Sequence, residues 1–108
     1  MAIKSNRDFL NAYRRGKKIE TRMFVLYYRK NRFGTNRLGI TVSKKIGNAV
    51  TRNRTRRIIR EAYRNIENSL NSGWDIVIVA RFSATTAKMN DIERILEGKI
   101  PEELLLAE

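Results

Sequence analysis

Residues 38–61 read LGITVSKKIGNAVTRNRTRRIIRE, and the residue pattern changes from strand-like to helical within this stretch. Residues Leu38–Ser43 are rich in the β-branched side chains that favour a strand. Asn48 is a candidate N-cap for a helix that runs to about Leu70. Its apolar positions recur at i, i+3 and i+4 and form one stripe, made of Ile58, Ile59, Ala62, Tyr63, Ile66 and Leu70. The stretch therefore predicts a strand followed by a long amphipathic helix.

The segments on either side extend this pattern into a sheet. Residues Trp74–Ala80 are too uniformly apolar for a strand with one face in water, which predicts a central strand buried on both faces. Together with the preceding strand and helix, it makes a βαβ crossover. Residues Arg22–Arg29 predict a further strand, and the Gly- and Asn-containing segment Lys30–Asn36 predicts a hairpin connection between it and Leu38–Ser43.

Two shorter helices are predicted near the ends of the chain. Ser5 is a candidate N-cap, with Asp8 as the partner in a capping box, for a helix that ends at Gly16. Asn90 and Glu93 have the same spacing, and this last helix is expected to stop before Gly98. The predicted fold class is α+β, a two-layer sandwich of about three helices on a small mixed sheet. Residues 1–108 form one domain, in which 98–108 is an acidic tail without an assigned role.

The charge is concentrated in one part of the sequence. The chain has 23 basic and 11 acidic side chains, for a net charge of +12. Residues 1–64 hold 19 basic and 3 acidic side chains, whereas residues 65–108 hold 4 basic and 8 acidic ones. Arginine predominates in the densest stretch, and its planar guanidinium suits bidentate contact with phosphate. The distribution favours a nucleic-acid partner over an anionic membrane, an acidic protein or a surface that serves only solubility.

The long helix carries the clearest candidate binding surface. Arg52, Arg56, Arg60 and Arg64 follow each other at i, i+4, a row about 18 Å long with Arg57 beside it. Like charges at this spacing repel each other, so the row makes physical sense when phosphates neutralise it. Ser43, Lys44, Lys45 and the turn at Gly47 precede the helix N-terminus, where a phosphate can also bind. The alternative interpretation is a solvated helix face, although such faces usually mix signs and this one has a single acid, Glu61.

Composition excludes several kinds of chemistry. The chain has no cysteine and no histidine, which excludes the usual zinc sites, thiol nucleophiles, Ser-His pairs and disulfides. Neither a membrane-spanning stretch nor a signal peptide is evident, so a cytoplasmic location is expected. The acids of the basic half, Asp8, Glu20 and Glu61, stand far apart in sequence, and no protein ligand for a metal is assigned.

Residues 39–60 resemble the protein subunit of bacterial ribonuclease P. They contain Ser-Lys-Lys-x-Gly-x-Ala-Val at 43–50, then Arg-Asn-Arg at 52–54 and Arg-Arg at 56–57. Less specific similarities occur in the first helix, the first strand and the buried strand, so that the resemblance extends to about Leu96. It implies a left-handed βαβ crossover, against the usual right-handed rule.

The resemblance implies an RNA-binding role without catalysis by the protein. In this family a large RNA removes the 5′ leader of precursor tRNA with magnesium ions bound mainly by the RNA, and no obligatory protein partner is inferred. The residues implied to contact that RNA are Ser43, Lys44, Lys45, Arg52, Asn53, Arg54, Arg56, Arg57 and Arg60. A cleft implied to hold the single-stranded leader involves Phe9, Tyr13 and Tyr27, although all three also suit ordinary core packing. Base stacking on aromatic rings tolerates any leader sequence.

Two other functions fit part of the pattern. A ribosomal or other structural RNA-binding protein would share the charge asymmetry and the arginine row. A metal-dependent nuclease acting alone would need a carboxylate cluster beside its RNA groove, which three scattered acids do not readily form. If the arginine row binds about 5–7 phosphates, the affinity for structured RNA should fall with salt at a log–log slope near −4 to −6.

Overall fold

The computed structural model describes residues 1–106 and contains three α-helices and four β-strands. The helices are α1 (Asn6–Arg15), α2 (Ala49–Ile66) and α3 (Met89–Lys99). The strands are β1 (Lys17–Glu20), β2 (Phe24–Lys30), β3 (Arg37–Thr41) and β4 (Trp74–Ala80). All the predicted elements are present, and the short strand β1 is one that the sequence pattern did not indicate.

The central position of β4 organises the sheet, whose strand order is β1-β2-β4-β3. β2 pairs with β4 in the antiparallel sense and β3 pairs with β4 in the parallel sense. This confirms the buried strand and the βαβ unit, but the predicted hairpin between β2 and β3 is wrong. β4 lies between β2 and β3 in the sheet, so it separates two strands that follow each other in sequence.

The helices cover the two faces of the sheet unequally. Phe24, Leu26, Ile76 and Ile78 point to the face on which α2 and α3 pack, and each is at most 2% exposed. Every residue of the predicted apolar stripe is buried, and all of them except Ile58 belong to this core. The opposite face is partly covered by α1, whose Ala12 packs with Ile3 and Val77. The α+β class with three helices on a small mixed sheet is therefore confirmed, and α1 lies on the far side of the sheet from the other two helices.

The ends of the helices show which capping predictions hold. The side chain of Ser5 accepts a hydrogen bond from the backbone of Arg7, and that of Asn48 accepts one from Thr51 at 2.9 Å, so both N-caps are confirmed. The predicted capping box at Ser5 does not form, because the carboxylate of Asp8 binds Arg37 instead.

The C-terminal helix begins earlier and ends later than its sequence pattern indicates. Its N-cap is Lys88, whose backbone N–H donates to Asp91 Oδ2 at 3.1 Å, and the predicted Asn90–Glu93 box is wrong. The helix passes through Gly98 and stops at Lys99, since the residue before Pro101 is driven into an extended conformation.

The segment after α3 is part of the folded core in spite of its acidic composition. Leu104 is fully buried, and Leu105 forms an isolated antiparallel bridge with Leu70. Glu103 pairs with Lys17 at 3.1 Å, which holds the segment against β1. Residues 107–108 of the predicted acidic tail lie outside the described residues.

Candidate nucleic-acid interface

The outward face of α2 presents a row of arginines. Burial of the apolar stripe fixes the orientation of the helix, so that Arg57, Arg60 and Arg64 are exposed, with Arg52 and Arg56 half-buried at its start. We call these five residues the arginine surface. Among residues 1–106, the cations in ion pairs are Lys17, Lys18, Arg37 and Arg81, and none belongs to α2. The positive charge of the arginine surface is therefore not neutralised by the described part of the protein.

Two residues at the start of the arginine surface have further polar features. Arg56 donates from Nη1 to Asn53 Oδ1 at 3.2 Å, which orients the guanidinium along the helix. Nε of Arg52 is buried and has no hydrogen-bond partner within residues 1–106. Buried polar groups are nearly always satisfied in native proteins, so this donor is an exception among the described residues.

Arg54 differs from the other arginines of the helix. Its guanidinium donates to the carbonyl oxygens of Thr85 at 3.0 Å and Ala87 at 3.1 Å. It therefore fastens α2 to the segment that leads into α3, and two of its five donors are used within the protein. The sequence pattern did not distinguish Arg54 from its neighbours, and its contact with RNA stays a prediction.

The turn before α2 places two lysines beside the arginine surface. Ser43 Oγ accepts from the backbone of Lys45 at 3.2 Å and caps a short 3-10 helix at Lys44–Ile46. Lys44 and Lys45 are exposed. A Cβ at Gly47 would lie 2.9 Å from the side chain of Thr51. A residue other than glycine at this position would therefore require the Thr51 side chain to move. The predicted basic residues thus lie next to the helix N-terminus.

The three aromatic residues proposed from the sequence lie together on the other face of the sheet. Tyr13 contacts Tyr27 edge-to-face with ring centroids 5.0 Å apart, and Phe9 lies 6.4 Å from Tyr13. All three are half-buried, and the hydroxyl of Tyr13 is 2.9 Å from Thr41 Oγ1. They therefore pack against the fold and keep part of each ring accessible, which leaves both sequence-based interpretations of these residues open.

The strand register shows what lies beside these rings. Thr41, Val79, Val25 and Glu20 are paired in one row across the four strands, and the neighbouring row contains Gly39, Val77, Tyr27 and Lys18. Side chains of paired residues share a face of the sheet. Val25 and Val79 are only half-buried, so an apolar strip continues past the rings. We call Phe9, Tyr13, Tyr27, Val25 and Val79 the aromatic cleft.

One glycine sets how closely α1 approaches β3. A Cβ at Gly39 would lie 2.6 Å from the ring of Phe9, so a larger residue there would push the ring and α1 away from the sheet. Gly39 is therefore required for the width of the aromatic cleft.

An ion-pair network at the start of β3 was not indicated by the sequence. Arg37 donates from Nε and Nη2 to the two carboxylate oxygens of Asp75 at 2.8 and 2.6 Å, and from Nη1 to Asp8 at 3.2 Å. Burial alone would raise the pKa of Asp75, but hydrogen bonds from Arg37 and Asn31 outweigh it and hold the pKa below its usual value. The same carboxylates raise the pKa of Arg37. Asp75 is separated from Arg37 by 38 residues, and no local spacing connects them.

Three of the described carboxylates are paired with basic side chains. Asp8 and Asp75 are engaged by Arg37, and Glu20 pairs with Lys18 at 3.3 Å. Residues 1–106 contain no group of three or more potential metal-ligating side chains. The same residues include no helix with the length and apolarity needed to cross a bilayer.

Comparison with known proteins assigns the chain to a family. The sequence model of the Ribonuclease P family matches residues 1–100. The chain belongs to the ribonuclease P protein family. The family assignment confirms the resemblance stated from residues 39–60, and it decides against a ribosomal protein.

Individual family members agree in sequence and in structure. The ribonuclease P protein component of Clostridium botulinum (strain Loch Maree) is 47% identical over 95 residues, which cover 87% of this chain and 86% of that protein. That of Clostridioides difficile is 42% identical over 99 residues, covering 91% and 87%. The RNase P protein structure of Staphylococcus aureus has a TM-score of 0.81 at 39% identity, covering 90% and 89%. That of Thermotoga maritima also has a TM-score of 0.81, at 30% identity, covering 91% and 93%.

Proposed function

We propose that this ribonuclease P protein component binds the catalytic RNA of the holoenzyme through its arginine surface. The observation that carries the proposal is a row of arginines on α2 with no acidic partner among the described residues. Guanidinium groups at this spacing repel each other in the free protein, and phosphates remove that repulsion. Lys44 and Lys45 extend the same surface beyond the helix N-terminus.

The aromatic cleft is proposed to hold the 5′ leader of precursor tRNA. Its rings are half-buried, so their positions are fixed by packing while part of each ring remains available for stacking. Base stacking on aromatic side chains needs no specific base, which suits a protein that meets many leader sequences. The cleft lies on the face of the sheet that α2 does not cover, and Phe9 lines one pocket together with Arg60 and Arg64, so the two proposed RNA-binding surfaces adjoin there.

The cleavage chemistry is assigned to the RNA subunit and to magnesium ions that it binds. Among the described residues, the carboxylates near the cleft are committed to basic side chains, which supports a protein that positions RNA and leaves hydrolysis to its partner. We place the assembly in the cytoplasm, and its proposed partners are the RNA subunit and precursor tRNA.

Reconstitution tests this assignment directly. A bacterial ribonuclease P RNA is incubated with precursor tRNA at low magnesium concentration, with and without the protein, and the protein is also assayed alone. We expect accelerated cleavage at the 5′ end of the tRNA only when both components are present, because the protein supplies positive charge that magnesium otherwise provides. Cleavage by the protein alone would overturn the assignment of the chemistry, and an unchanged rate would overturn the holoenzyme role.

Substitution of Tyr27 by alanine tests the aromatic cleft. Loss of one base–aromatic stack is expected to weaken precursor tRNA binding by the holoenzyme by about 5- to 100-fold. Mature tRNA lacks the leader, so its affinity should stay unchanged. Both affinities are measured by equilibrium binding, with Tyr28→Phe as the control, since Tyr28 faces the opposite side of the sheet. Equal losses of affinity for the two tRNAs would show that the aromatic cleft does not bind the leader.

A further inference from the structure

The loop between β2 and β3 holds an aromatic ring out in solvent. Phe33 is 59% exposed, and Cζ of Arg37 lies 4.4 Å from the centroid of its ring. The guanidinium covers one face of the ring, and the other face is open. The guanidinium is itself fixed by two carboxylates, so the ring rests on a rigid support.

The loop that carries Phe33 is tied down at both ends. Asn31 Oδ1 accepts from the backbone of Phe33 at 2.9 Å, and Asn31 Nδ2 donates to the carbonyl of Thr35 at 3.0 Å. Asn36 Oδ1 accepts from the backbone of Trp74 at 2.8 Å. An exposed apolar ring is thus held in a fixed position before any ligand arrives, which lowers the entropic cost of binding to it.

The ring borders a basic hollow with a volume of about 610 Å³. Besides Arg37, four basic side chains line it, Arg7, Arg29, Lys30 and Arg32. None of them forms an ion pair within residues 1–106, whereas the two carboxylates in the wall of the hollow, Asp8 and Asp75, are both bound by Arg37. A planar apolar surface surrounded by unneutralised cations matches a nucleotide, whose base is planar and whose phosphates are anionic.

We propose that Phe33 stacks one unpaired RNA base while Arg7, Lys30 and Arg32 hold the adjoining phosphates. This site differs from the arginine surface in the residues that form it: none of those five arginines lines the hollow, whereas Arg60 and Arg64 line a different pocket with Asn36 and Leu38. It is also separate from the aromatic cleft, since Arg7 and Asn11 of α1 face the hollow and Tyr13 packs on Tyr27. The inference rests on the proposed function in one respect: the base comes from the RNA subunit or from precursor tRNA.

The test compares Phe33→Ala with the matched variant Phe33→Tyr in the full chain. Dissociation constants are measured for the ribonuclease P RNA, and separately for precursor tRNA bound to the holoenzyme at saturating RNA subunit. We expect Phe33→Ala to weaken binding of one of these RNAs by about 5- to 100-fold, while Phe33→Tyr retains the stack and stays within about twofold. A loss confined to the RNA subunit or to the precursor identifies the source of the base.

Parallel variants separate failure of this site from failure of the proposed function. Arg32→Ala should reduce the salt slope for the same RNA by about 0.7–0.9, the value for one phosphate contact. If Arg57→Ala weakens RNA binding and Phe33→Ala does not, the hollow is not an RNA site, and the proposal that the arginine surface binds RNA is retained. If neither variant weakens binding, both proposals fail. A loss for Phe33→Tyr as large as that for Phe33→Ala would also exclude stacking.

Discussion

Replacement of Asp75 by asparagine is expected to lower the free energy of unfolding by about 3–5 kcal/mol, because it leaves a buried guanidinium without its main partner. The side chains of Asp75 and Arg37 are only 10% and 13% exposed, so water replaces the lost interaction only in part. For a chain of this length the loss corresponds to a fall of roughly 12–40 °C in Tm, measured by circular dichroism.

The matched control is Glu20→Gln. Glu20 pairs with Lys18 at 3.3 Å, but both side chains are more than half exposed, and exposed pairs contribute at most about 1 kcal/mol. A cost for Asp75→Asn as small as that of the control would mean that the network is not a stabilising element. The double variant Asp75→Asn, Arg37→Met should recover part of the stability, since it removes the unpaired charge along with its partner.

The difference in stability between the unsubstituted protein and Asp75→Asn should depend on pH. The pKa of Asp75 is lower in the folded state than its ordinary value of 3.8, so the unfolded state binds the proton more tightly. The contribution of the pair is therefore fully present above pH 3.8 and is lost as the pH falls through the lowered pKa. Denaturant titrations from neutral pH to pH 2 should show the two proteins converging in acid.

Most of the secondary structure follows from local patterns, and the strand pairing does not. The apolar stripe of α2 and the continuous apolar run of β4 each specify an element, because burial on one or two faces determines their periodicity. Asn31 and Asn36 favour a turn by composition, and they do lie in a loop. Their side chains, however, bind Asp75 and Trp74 of β4, which inserts between β2 and β3. Long-range hydrogen bonds of this kind leave no local signature.

The candidate site likewise has features that the local sequence predicts and features that it does not. Helical periodicity alone places Arg57, Arg60 and Arg64 outward, since the apolar stripe fixes the buried face. The same periodicity cannot show that Arg54 reaches the carbonyls of Thr85 and Ala87, because those residues follow β4 in sequence. The local sequence does not indicate a role for Phe33 for a related reason: its support, Arg37, is held by carboxylates on α1 and β4.

The largest effect on RNA binding is expected from Arg56, Arg57 and Arg60 changed together to alanine. Each arginine that neutralises one phosphate contributes about 0.7–0.9 to the salt slope, so the slope should fall by about 2–3. At about 0.1 M salt this corresponds to a loss of roughly 10²–10³-fold in affinity for the RNA subunit. The fold should be unaffected, because none of the three belongs to the buried stripe, and removal of like charges at i, i+4 relieves repulsion within α2.

A second triple variant shows whether position or total charge is responsible. Lys88, Arg94 and Lys99 changed to alanine remove the same charge from exposed positions at α3, in the acidic part of the chain. If the arginine surface binds the RNA, this control should keep nearly the full slope and affinity in the same titration. Equal losses for the two triple variants would show that RNA responds to net charge alone, and α2 would then have no specific role. The comparison is decisive because the two variants have identical net charge and differ only in which face of the protein they alter.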